Sequence, residues 1–397
     1  MTFVFVTILL DMLALGMIIP VLPLIIEAFR GGDTASAART IGLFGTVWSA
    51  IQFVASPVLG ALSDRFGRRP VILLSNGGLA ADYLLMAVAP TLGWLFVGRI
   101  LSGVTAASIP TAFAYIADVT PPERRARAYG LMGAAFGLGF ILGPAIGGML
   151  SLWGPRAPFW VAAAFSFANA CYGFFILPES LAPDHRAPFS WRRANPLGSL
   201  ALLRSHHELA GFAMLHVLYH LAHHALTATF VLYAAYRYGW GSTEVGWTLA
   251  AVGACSAVVQ AGLVGRLVAR FGERRTLVAG LAAGAVGFAI YGLAPAGWMF
   301  LAGVPIMSMW GMYGPAAQGL MTRRVGRSAQ GALQGALASL QTATGIFGPA
   351  LFSETFATAI AAKRVHVPGA PFLLASLFLV IGVGLALRIT RAAESNA

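Results

Sequence analysis

The chain has 397 residues, of which 58% are hydrophobic and only 10% are charged, whereas soluble domains carry about 25% charged residues. This composition excludes a large soluble protein. The net charge of +12 suits a nucleic-acid partner, but the basic residues fall in short loops and form no basic face, which argues against that class. Two cysteines, Cys171 and Cys255, lie in apolar runs and offer neither a disulfide framework nor zinc-ligand spacing.

Apolar stretches long enough to cross a bilayer, about 20 residues each, recur along the whole chain. The first stretch lacks a basic leader and a small-residue cleavage site, so we expect it to remain as a span. We therefore predict an all-α membrane protein with two six-helix halves, residues 1–178 and 209–397, joined by a cytoplasmic linker at 179–208. The twelve predicted spans cover residues 2–28, 39–62, 70–89, 92–117, 126–151, 157–178, 209–236, 243–268, 274–295, 297–322, 329–356 and 367–388.

Lysines and arginines are distributed unevenly between alternate connections. If the N-terminus lies inside, the inner segments hold 19 of the 26 basic residues and the outer segments hold six. Cytoplasmic loops of membrane proteins carry the excess of positive charge, so both termini are predicted to be cytoplasmic.

Two motifs repeat at one spacing. The segment GALSDRFGRRP at residues 60–70 matches GRLVARFGERR at 265–275. The segment GFILGPAIG at 139–147 matches TGIFGPALF at 344–352, and both matches have an offset of 205 residues. This repeat indicates duplication of a six-helix unit. Two such halves are related by an axis along the membrane normal, with a substrate site between them near mid-depth.

Three ionisable residues lie well inside predicted spans of the first half. With both carboxylates ionised, Asp11, Asp82 and Arg99 sum to a charge of −1, and one added proton makes the group neutral. A charge at mid-span costs about 2.5–3.5 kcal/mol on insertion scales, so a chain retains it for a reason. We predict that the group couples transport to protons, and the alternative is a static Asp–Arg pair that only fixes helix packing.

Span seven places four histidines on one helix face. At roughly 100° per residue, His216, His220, His223 and His224 fall within a sector about 100° wide. At the 205-residue offset, Asp11 corresponds to His216. Three interpretations stay open: the imidazoles line the substrate cavity or relay protons, they pack against neighbouring helices, or they bind a transition metal.

Uncharged amides in the spans are candidates for contacts with a substrate. Gln52, Gln318 and Gln341 lie in spans two, ten and eleven, and an amide donates and accepts hydrogen bonds without adding charge. Hydrogen bonding between helices is the alternative. The sequence contains no Walker loop and no nucleophile constellation, so we predict no cofactor and no enzymatic activity, with an ion gradient as the energy source.

The chain resembles the major facilitator superfamily, and within it the drug/proton antiporters with twelve spans. GALSDRFGRRP is similar to the superfamily's loop motif between spans two and three, and GLGFILGPAIGG at 137–148 is similar to the antiporter motif of span five. LLDMLALGMIIPVLP, GRILSGVTAAS and RYGWGSTEVGWTLA look like segments of the tetracycline efflux proteins. The resemblance implies two pseudo-symmetric six-helix bundles and a role in efflux for Asp11, Asp82 and Arg99.

The resemblance also assigns roles to the two motifs. The loop after span two is expected to gate transport, with Asp64 contacting span eleven, which begins near Ala329. The gating residues are Asp64, Gly67, Arg68 and Arg69. Close packing of span five is expected to limit leak, through Gly139, Gly143, Pro144 and Gly147. Two positions depart from the family, because Gly284 stands where tetracycline exporters carry an acidic residue and Cys255 stands where they carry a histidine.

These observations predict a proton-coupled antiporter that exports a fairly apolar small molecule by alternating access, with tetracycline as the first candidate. The expected partners are the substrate, protons and the lipid bilayer of a bacterial inner membrane, and the chain is expected to be a monomer without nucleic acid, cofactor or assigned metal. Alternatives stay open: transport of another metabolite, siderophore or metal chelate through the span-seven histidines, nutrient import, or a non-transporting sensor. The candidate cavity residues are Gln52, His216, His220, His223, Cys255, Gln318 and Gln341.

Overall fold

The described part of the chain is helical almost throughout. A computed structural model describes residues 2–105, 108–191, 207–325, 330–362 and 366–395. These ranges contain no β-strand, which confirms the all-α class. Residues 192–206 of the predicted linker and Ala329, the predicted start of span eleven, lie outside the described residues.

Eight α-helices occur in the described residues of the first half. They are α1 (Thr2–Ile18), α2 (Leu22–Phe29), α3 (Thr34–Phe66), α4 (Arg68–Val88), α5 (Leu92–Thr105), α6 (Ser108–Val119), α7 (Pro122–Leu150) and α8 (Ala157–Ile176). The first span is divided, and Pro23 stands in the first turn of α2, where its missing N–H leaves no donor unpaired. α3 and α4 meet at Gly67, whose φ of 109° is accessible to glycine.

The second half contains more irregular backbone. Its described helices are α9 (His207–Tyr238), α10 (Ser242–Val258), α11 (Val264–Leu293), α12 (Gly297–Ala302), α13 (Val304–Ser308), α14 (Tyr313–Thr322), α15 (Gln330–Ala361) and α16 (Ala370–Ser395). A π-helical turn at Val259–Leu263 joins α10 to α11, and Gly272, with φ of 79°, separates spans eight and nine inside α11. Span ten is broken, because a 3₁₀ turn at Met309–Met312 joins α13 to α14.

The chain divides into two compact units. Unit 1 is built from Met1–Gly31, Val47–Pro196 and Gly241–Ala250, and unit 2 from Gly32–Thr46, Leu197–Trp240 and Ala251–Ala397. Each unit therefore consists mainly of one predicted half and takes a short segment from the other. The predicted boundaries at the linker, 179–208, stay a prediction.

Each unit has its own helix packing. In unit 1, α1 packs along α7 and α8, and α4 packs against α8. The buried side chains between them include Ile8, Met12 and Met132. In unit 2, α9 packs against α15 and α16, and α11 packs against α16. These contacts place the middle of α1 and the middle of α9 inside their units.

Several helices are suited to a lipid environment. Eight stretches of described residues are long and apolar enough to cross a membrane, judged by length and composition alone. One of them, Ser242–Leu293, has 52 residues, more than twice the length of about 20 that one crossing needs. Large apolar side chains such as Phe175 and Val258 are exposed on the helices. The chain is a multi-pass membrane protein, and the count of twelve spans stays a prediction.

Candidate transport site

Asp11 is buried in the middle of α1 beside a neutral amide. It is 2% exposed, and its Oδ1 accepts a hydrogen bond of 2.9 Å from Nδ2 of Asn169 on α8. The same amide donates to the carbonyl oxygen of Thr7 at 3.0 Å. Because Asn169 brings no charge, it positions the carboxyl group without adding a counter-charge. Sequence reasoning missed Asn169, whose only signal is a polar side chain within apolar span six.

Asp82 and Arg99 form an ion pair between α4 and α5. Asp82 is fully buried, and Nη2 of Arg99 donates to its Oδ2. Gly98 makes room for this carboxylate, because a Cβ at that position would lie 2.6 Å from Oδ1 of Asp82. Removing one partner of a buried ion pair costs about 3–5 kcal/mol, since the other charge is left uncompensated.

The three predicted charges share one region of unit 1. Tyr83, next to Asp82 on α4, is buried within electrostatic range of Asp82, Arg99 and Asp11. The structure thus brings together the residues predicted for proton coupling and adds Asn169 to them. Their role in coupling stays a prediction.

The four histidines of α9 have different neighbours. Nε2 of His216 lies 3.1 Å from the carbonyl oxygen of Leu337 on α15, so this ring links two helices. His224 packs against Gly348 of α15, where a Cβ would lie 2.8 Å from the Cβ of His224. Both contacts fit the packing interpretation.

His220 and His223 contact aromatic rings. The ring centroid of His220 lies 5.0 Å from that of Tyr219, and the centroid of His223 lies 5.9 Å from that of Trp310. His223 is exposed. No group of three or more His, Cys, Asp or Glu side chains suited to a metal ion occurs among the described residues. The contacts of His220 and His223 with a substrate stay predictions.

Tyr219, Trp310 and Tyr313 form an aromatic cluster beside these histidines. The rings of Tyr219 and Tyr313 stack with centroids 4.2 Å apart at 17°, and Trp310 lies 4.6 Å from Tyr219. The indole fills the space beside Gly284, because a Cβ there would lie 2.5 Å from Cδ1 of Trp310. The departure at Gly284 therefore has a structural counterpart, since the indole lies where a side chain of residue 284 would begin.

The remaining candidate cavity residues differ in burial. Gln52 on α3 and Cys255 on α10 are half-buried, whereas Gln318 and Gln341 are exposed. Their contacts with a substrate stay predictions. Sequence reasoning missed a further amide, Gln260, although it lies in an apolar span like the three that were chosen.

Arg68 organises the loop between α3 and α4. Its Nη1 donates to Oδ1 of Asp64 at 2.5 Å, and its Nε donates to Oδ2 of Asp118 at 3.0 Å. The hydroxyl of Ser180 donates to the same Asp118 oxygen at 3.0 Å. The backbone N–H of Ala187 donates to the carbonyl oxygen of Asp64 at 3.0 Å. Asp64 is thus held within unit 1, and its contact with span eleven stays a prediction.

Glu179 clamps the start of α4 and was missed by sequence reasoning. Its Oε1 accepts from the backbone N–H of Arg68 at 2.8 Å, and its Oε2 accepts from that of Arg69 at 3.2 Å. A carboxylate at a helix N-terminus satisfies unpaired donors and interacts favourably with the helix dipole. Any Cβ at Gly67 would collide with this carboxylate, so the contact requires glycine as the positive φ does. The signal in the sequence is LPES, a carboxylate directly after span six.

Glycines along α7 bring its backbone against α1. A Cβ at Gly143 would lie 2.8 Å from Cα of Gly16, and a Cβ at Gly147 would lie 2.6 Å from Cα of Met17. Gly139 also faces α1, so glycines four residues apart share one face. Close approach through small residues is how helices associate in membranes. The role of this contact in limiting leak stays a prediction.

Known proteins that this chain resembles include tetracycline resistance proteins and transporters of solved structure. Residues 4–349 match the Major Facilitator Superfamily. The chain is 38% identical to the tetracycline resistance protein, class C, of Escherichia coli, over 88% of each chain. It is 39% identical to the class G protein of Vibrio anguillarum, over 87% of this chain and 88% of that protein.

A solved structure supports the same fold. The crystal structure of the human organic anion transporter MFSD10 (TETRAN) matches with a TM-score of 0.72 and 25% identity, over 97% of this chain and 98% of that chain. The chain is therefore a transporter related to tetracycline resistance proteins, not an enzyme, and it belongs to the major facilitator superfamily.

Proposed function

We propose that the protein is a proton-coupled antiporter that exports a fairly apolar aromatic molecule, with tetracycline as the first candidate. The observation that carries this proposal is Asp11, a carboxyl group buried in a span beside Asn169. Ionised, such a group costs about 2.5–3.5 kcal/mol at mid-span, and protonation removes that cost. The names of the bacterial relatives support efflux as the direction of transport.

Proton exchange at Asp11 gives coupling a physical basis. With Asp11 ionised, the charges of Asp11, Asp82 and Arg99 sum to −1, and with Asp11 protonated they sum to zero. A change of one charge in a medium of low dielectric constant alters the energy of the surrounding helices far more than it would in water. In the proposed cycle, substrate entering from the cytoplasm displaces the proton, and protonation from outside resets the carrier.

We infer a bacterial inner membrane, both termini in the cytoplasm, a monomer, and the proton gradient as energy source without a cofactor. The excess of arginine on one side of the predicted spans supports this orientation.

A second candidate is export of another metabolite, a siderophore or a metal chelate. The contact of Trp310 with Gly284 favours it, because an indole lies where tetracycline exporters are expected to carry an acidic side chain. An indole offers ring contacts and one N–H donor in place of a negative charge. His223 adds an accessible imidazole to the same region.

Drug susceptibility in an efflux-deficient bacterium tests the proposal. The intact protein is expected to raise the inhibitory concentration of tetracycline or of another compound in a panel, and Asp11→Asn is expected to abolish that resistance. Asp33→Asn is the matched control, since Asp33 is an exposed carboxylate. Unaltered resistance in Asp11→Asn would exclude Asp11 as the coupling group.

Reconstituted vesicles separate the alternatives. A pH jump that leaves the vesicle interior acidic is expected to drive uptake of the exported compound in exchange for protons. Asp11→Asn is expected to remove this response to pH. Flux that is indifferent to the pH jump would exclude proton coupling. Absence of flux for every compound in the panel would favour the sensor.

A further inference from the structure

We propose that unit 2 contains an aromatic recognition subsite, built on the broken part of span ten, which binds an aromatic ligand through its oxygen acceptors. The subsite consists of Trp310 and Tyr313, with Tyr219 and His223 beside them. This proposal rests on the proposed transport function and names the residues that recognise the substrate.

The backbone that carries Trp310 is irregular. Trp310 and Gly311 lie in the 3₁₀ turn Met309–Met312, and Tyr313 begins the next helix. The π-helical turn Val259–Leu263 packs against this segment, where Nε2 of Gln260 donates to the carbonyl oxygen of Gly311 at 3.2 Å. Discontinuous spans and π-helical turns are features of ligand sites in membrane proteins and enzymes. Two such irregularities thus meet where Trp310 lies.

Two hydrogen-bond donors of the subsite lack acceptors. Trp310 is 5% exposed and Tyr313 is 2% exposed. Neither the indole Nε1 nor the Tyr313 hydroxyl has a hydrogen-bond partner among the described residues. Buried Trp and Tyr side chains usually place these groups on a partner. A ligand that supplies oxygen acceptors would satisfy both.

The ring arrangement suits an aromatic ligand. Tyr219 and Tyr313 stack at 4.2 Å, and Trp310 is tilted by 44° against Tyr219 at 4.6 Å. The cluster therefore contains ring faces and edges in more than one orientation. Aromatic ligands stack on such rings in offset or edge-to-face geometry.

The lack of acidic residues in the spans that carry the subsite favours a ligand with oxygen acceptors over an organic cation. The sequence has no acidic residue between Glu208 and Glu244, or between Glu273 and Glu354. The spans that carry Tyr219, Trp310 and Tyr313 therefore lack a carboxylate that would pair with an organic cation. The indole N–H, the phenol O–H and the imidazole of His223 are groups that donate hydrogen bonds.

Gly284 makes the subsite possible. A Cβ at this position would lie 2.5 Å from Cδ1 and 2.7 Å from Cγ of Trp310, and 2.8 Å from Cδ1 of Leu379. Any larger residue would displace the indole from its present place. In this proposal Gly284 and Trp310 together set ligand specificity, because the absence of a side chain at 284 leaves space for the indole.

Equilibrium binding to the purified full-length protein, without a proton gradient, tests the subsite. The probes are tetracycline, quercetin and 1,4-naphthoquinone, which are aromatic and bear oxygen acceptors, and ethidium, an aromatic cation. We expect the intact protein to bind at least one oxygen-bearing probe. Trp310→Phe and Tyr313→Phe, which each remove one donor and keep a ring, are expected to weaken that binding about tenfold, equivalent to about 1.4 kcal/mol.

Tyr291→Phe is the matched control. Tyr291 is also a buried tyrosine whose hydroxyl has no partner among the described residues, but its ring stacks on Phe300, away from the aromatic cluster. We expect this variant to bind like the intact protein, and we expect no variant to alter ethidium binding. Unchanged affinity in both Trp310→Phe and Tyr313→Phe, equal loss in Tyr291→Phe, or binding of ethidium alone would overturn the proposal.

The same assay separates this inference from the transport function. The binding assay contains no proton gradient, so its result does not depend on whether transport is coupled to protons. Binding that depends on Trp310, found together with flux that ignores a pH jump, would refute proton coupling and support the subsite. Proton-driven flux of a probe whose binding does not depend on Trp310 or Tyr313 would support proton coupling and refute the subsite.

Discussion

The spans of unit 1 contain two buried carboxylates and an arginine, whereas the spans of unit 2 contain four histidines beside a cluster of aromatic rings. At the 205-residue offset, Asp11 corresponds to His216, and Asp82 corresponds to Gly287. Gly287 is covered by Met307, whose Sδ would lie 2.9 Å from a Cβ at that position. The predicted duplication would therefore have kept the order of the helices but not the side chains at these positions. The two proposals made above assign different tasks to these side chains, proton exchange to unit 1 and ligand recognition to unit 2.

The glycine–proline motifs of the two units also differ, in the group that contacts the glycine. Gly143 of α7 contacts Gly16 of α1 backbone to backbone, whereas its counterpart Gly348 of α15 accommodates His224. Two backbones in contact have little room to relax, whereas the ring of His224 can change rotamer, even though its Cβ stays in place. The helix interface of unit 1 is therefore the less adaptable of the two.

Breaking the ion pair of unit 1 has the largest expected effect. Asp82→Asn leaves Arg99 without its charged partner in a buried site, so we expect the free energy of unfolding to fall by about 3–5 kcal/mol. We also expect proton-driven transport to be lost. Thermal unfolding of the purified protein and flux in vesicles measure the two effects.

The double variant Asp82→Asn/Arg99→Gln is the control for this prediction. It removes both charges, so we expect it to recover most of the stability while remaining inactive. A stable double variant that still transports in response to pH would show that the pair only fixes helix packing. Unchanged stability in Asp82→Asn would contradict the buried pair itself.

Replacing the glycine of each glycine–proline motif with alanine tests whether the two helix interfaces differ in rigidity. Overpacking costs about 1–3 kcal/mol, and we expect Gly143→Ala to lie at the upper end because it meets the backbone of Gly16. Gly348→Ala is expected to cost less, because two of the three nearest atoms belong to the ring of His224, which can move, although the Cβ of His224 at 2.8 Å must also shift. Chemical denaturation of the two variants side by side measures the difference. Equal costs would indicate that the two interfaces are equally rigid.

The positions of most helices could be predicted because the membrane imposes them. A crossing needs about 20 apolar residues, and Gly67 and Gly272 mark breaks where φ is positive. The break in span ten could not be predicted. Gly311 permits a 3₁₀ turn but does not require one, and the turn is held by Gln260 from another helix.

The charged part of the site could be found in the sequence because ionisable residues are rare within spans. Its partners could not be found in the same way. Asn169 reaches Asp11 across 158 residues of sequence, and Glu179 reaches Arg68 across 111. Local periodicity carries no information on contacts at such separations. The aromatic cluster was missed for a related reason, since aromatic side chains are common in spans and only their geometry distinguishes these three.

Removing a polar partner from each unit has an intermediate expected effect. Asn169→Ala removes a hydrogen bond to a carboxyl group, worth about 1.5–3 kcal/mol when ionised, so we expect transport to fall tenfold or more. His216→Phe removes a bond between neutral groups, worth about 1 kcal/mol, and we expect a smaller fall. Initial rates of flux in vesicles measure both. A larger effect at His216 would place proton exchange in unit 2.

Removing an exposed ion pair of unit 2 has the smallest expected effect on stability. It serves as a reference for removing the buried pair of unit 1. Nε and Nη2 of Arg39 donate to the two carboxylate oxygens of Glu354 at 2.9 and 3.1 Å, and both side chains are about half exposed. Exposed pairs contribute about 0.2–1 kcal/mol, because water and salt screen them. We expect Arg39→Gln to lower stability by no more than this, and we expect the loss to disappear at 1 M salt, where the screening length is about 3 Å.

The loss caused by Asp82→Asn is expected to be the same at low and high salt, because ions in the solvent do not reach a fully buried carboxylate. Unfolding of both variants at two ionic strengths compares them directly. Salt dependence at Asp82 would show that water enters the charged region of unit 1. In that case the charge of Asp11 would also be screened, and its protonation would alter the energy of the surrounding helices less.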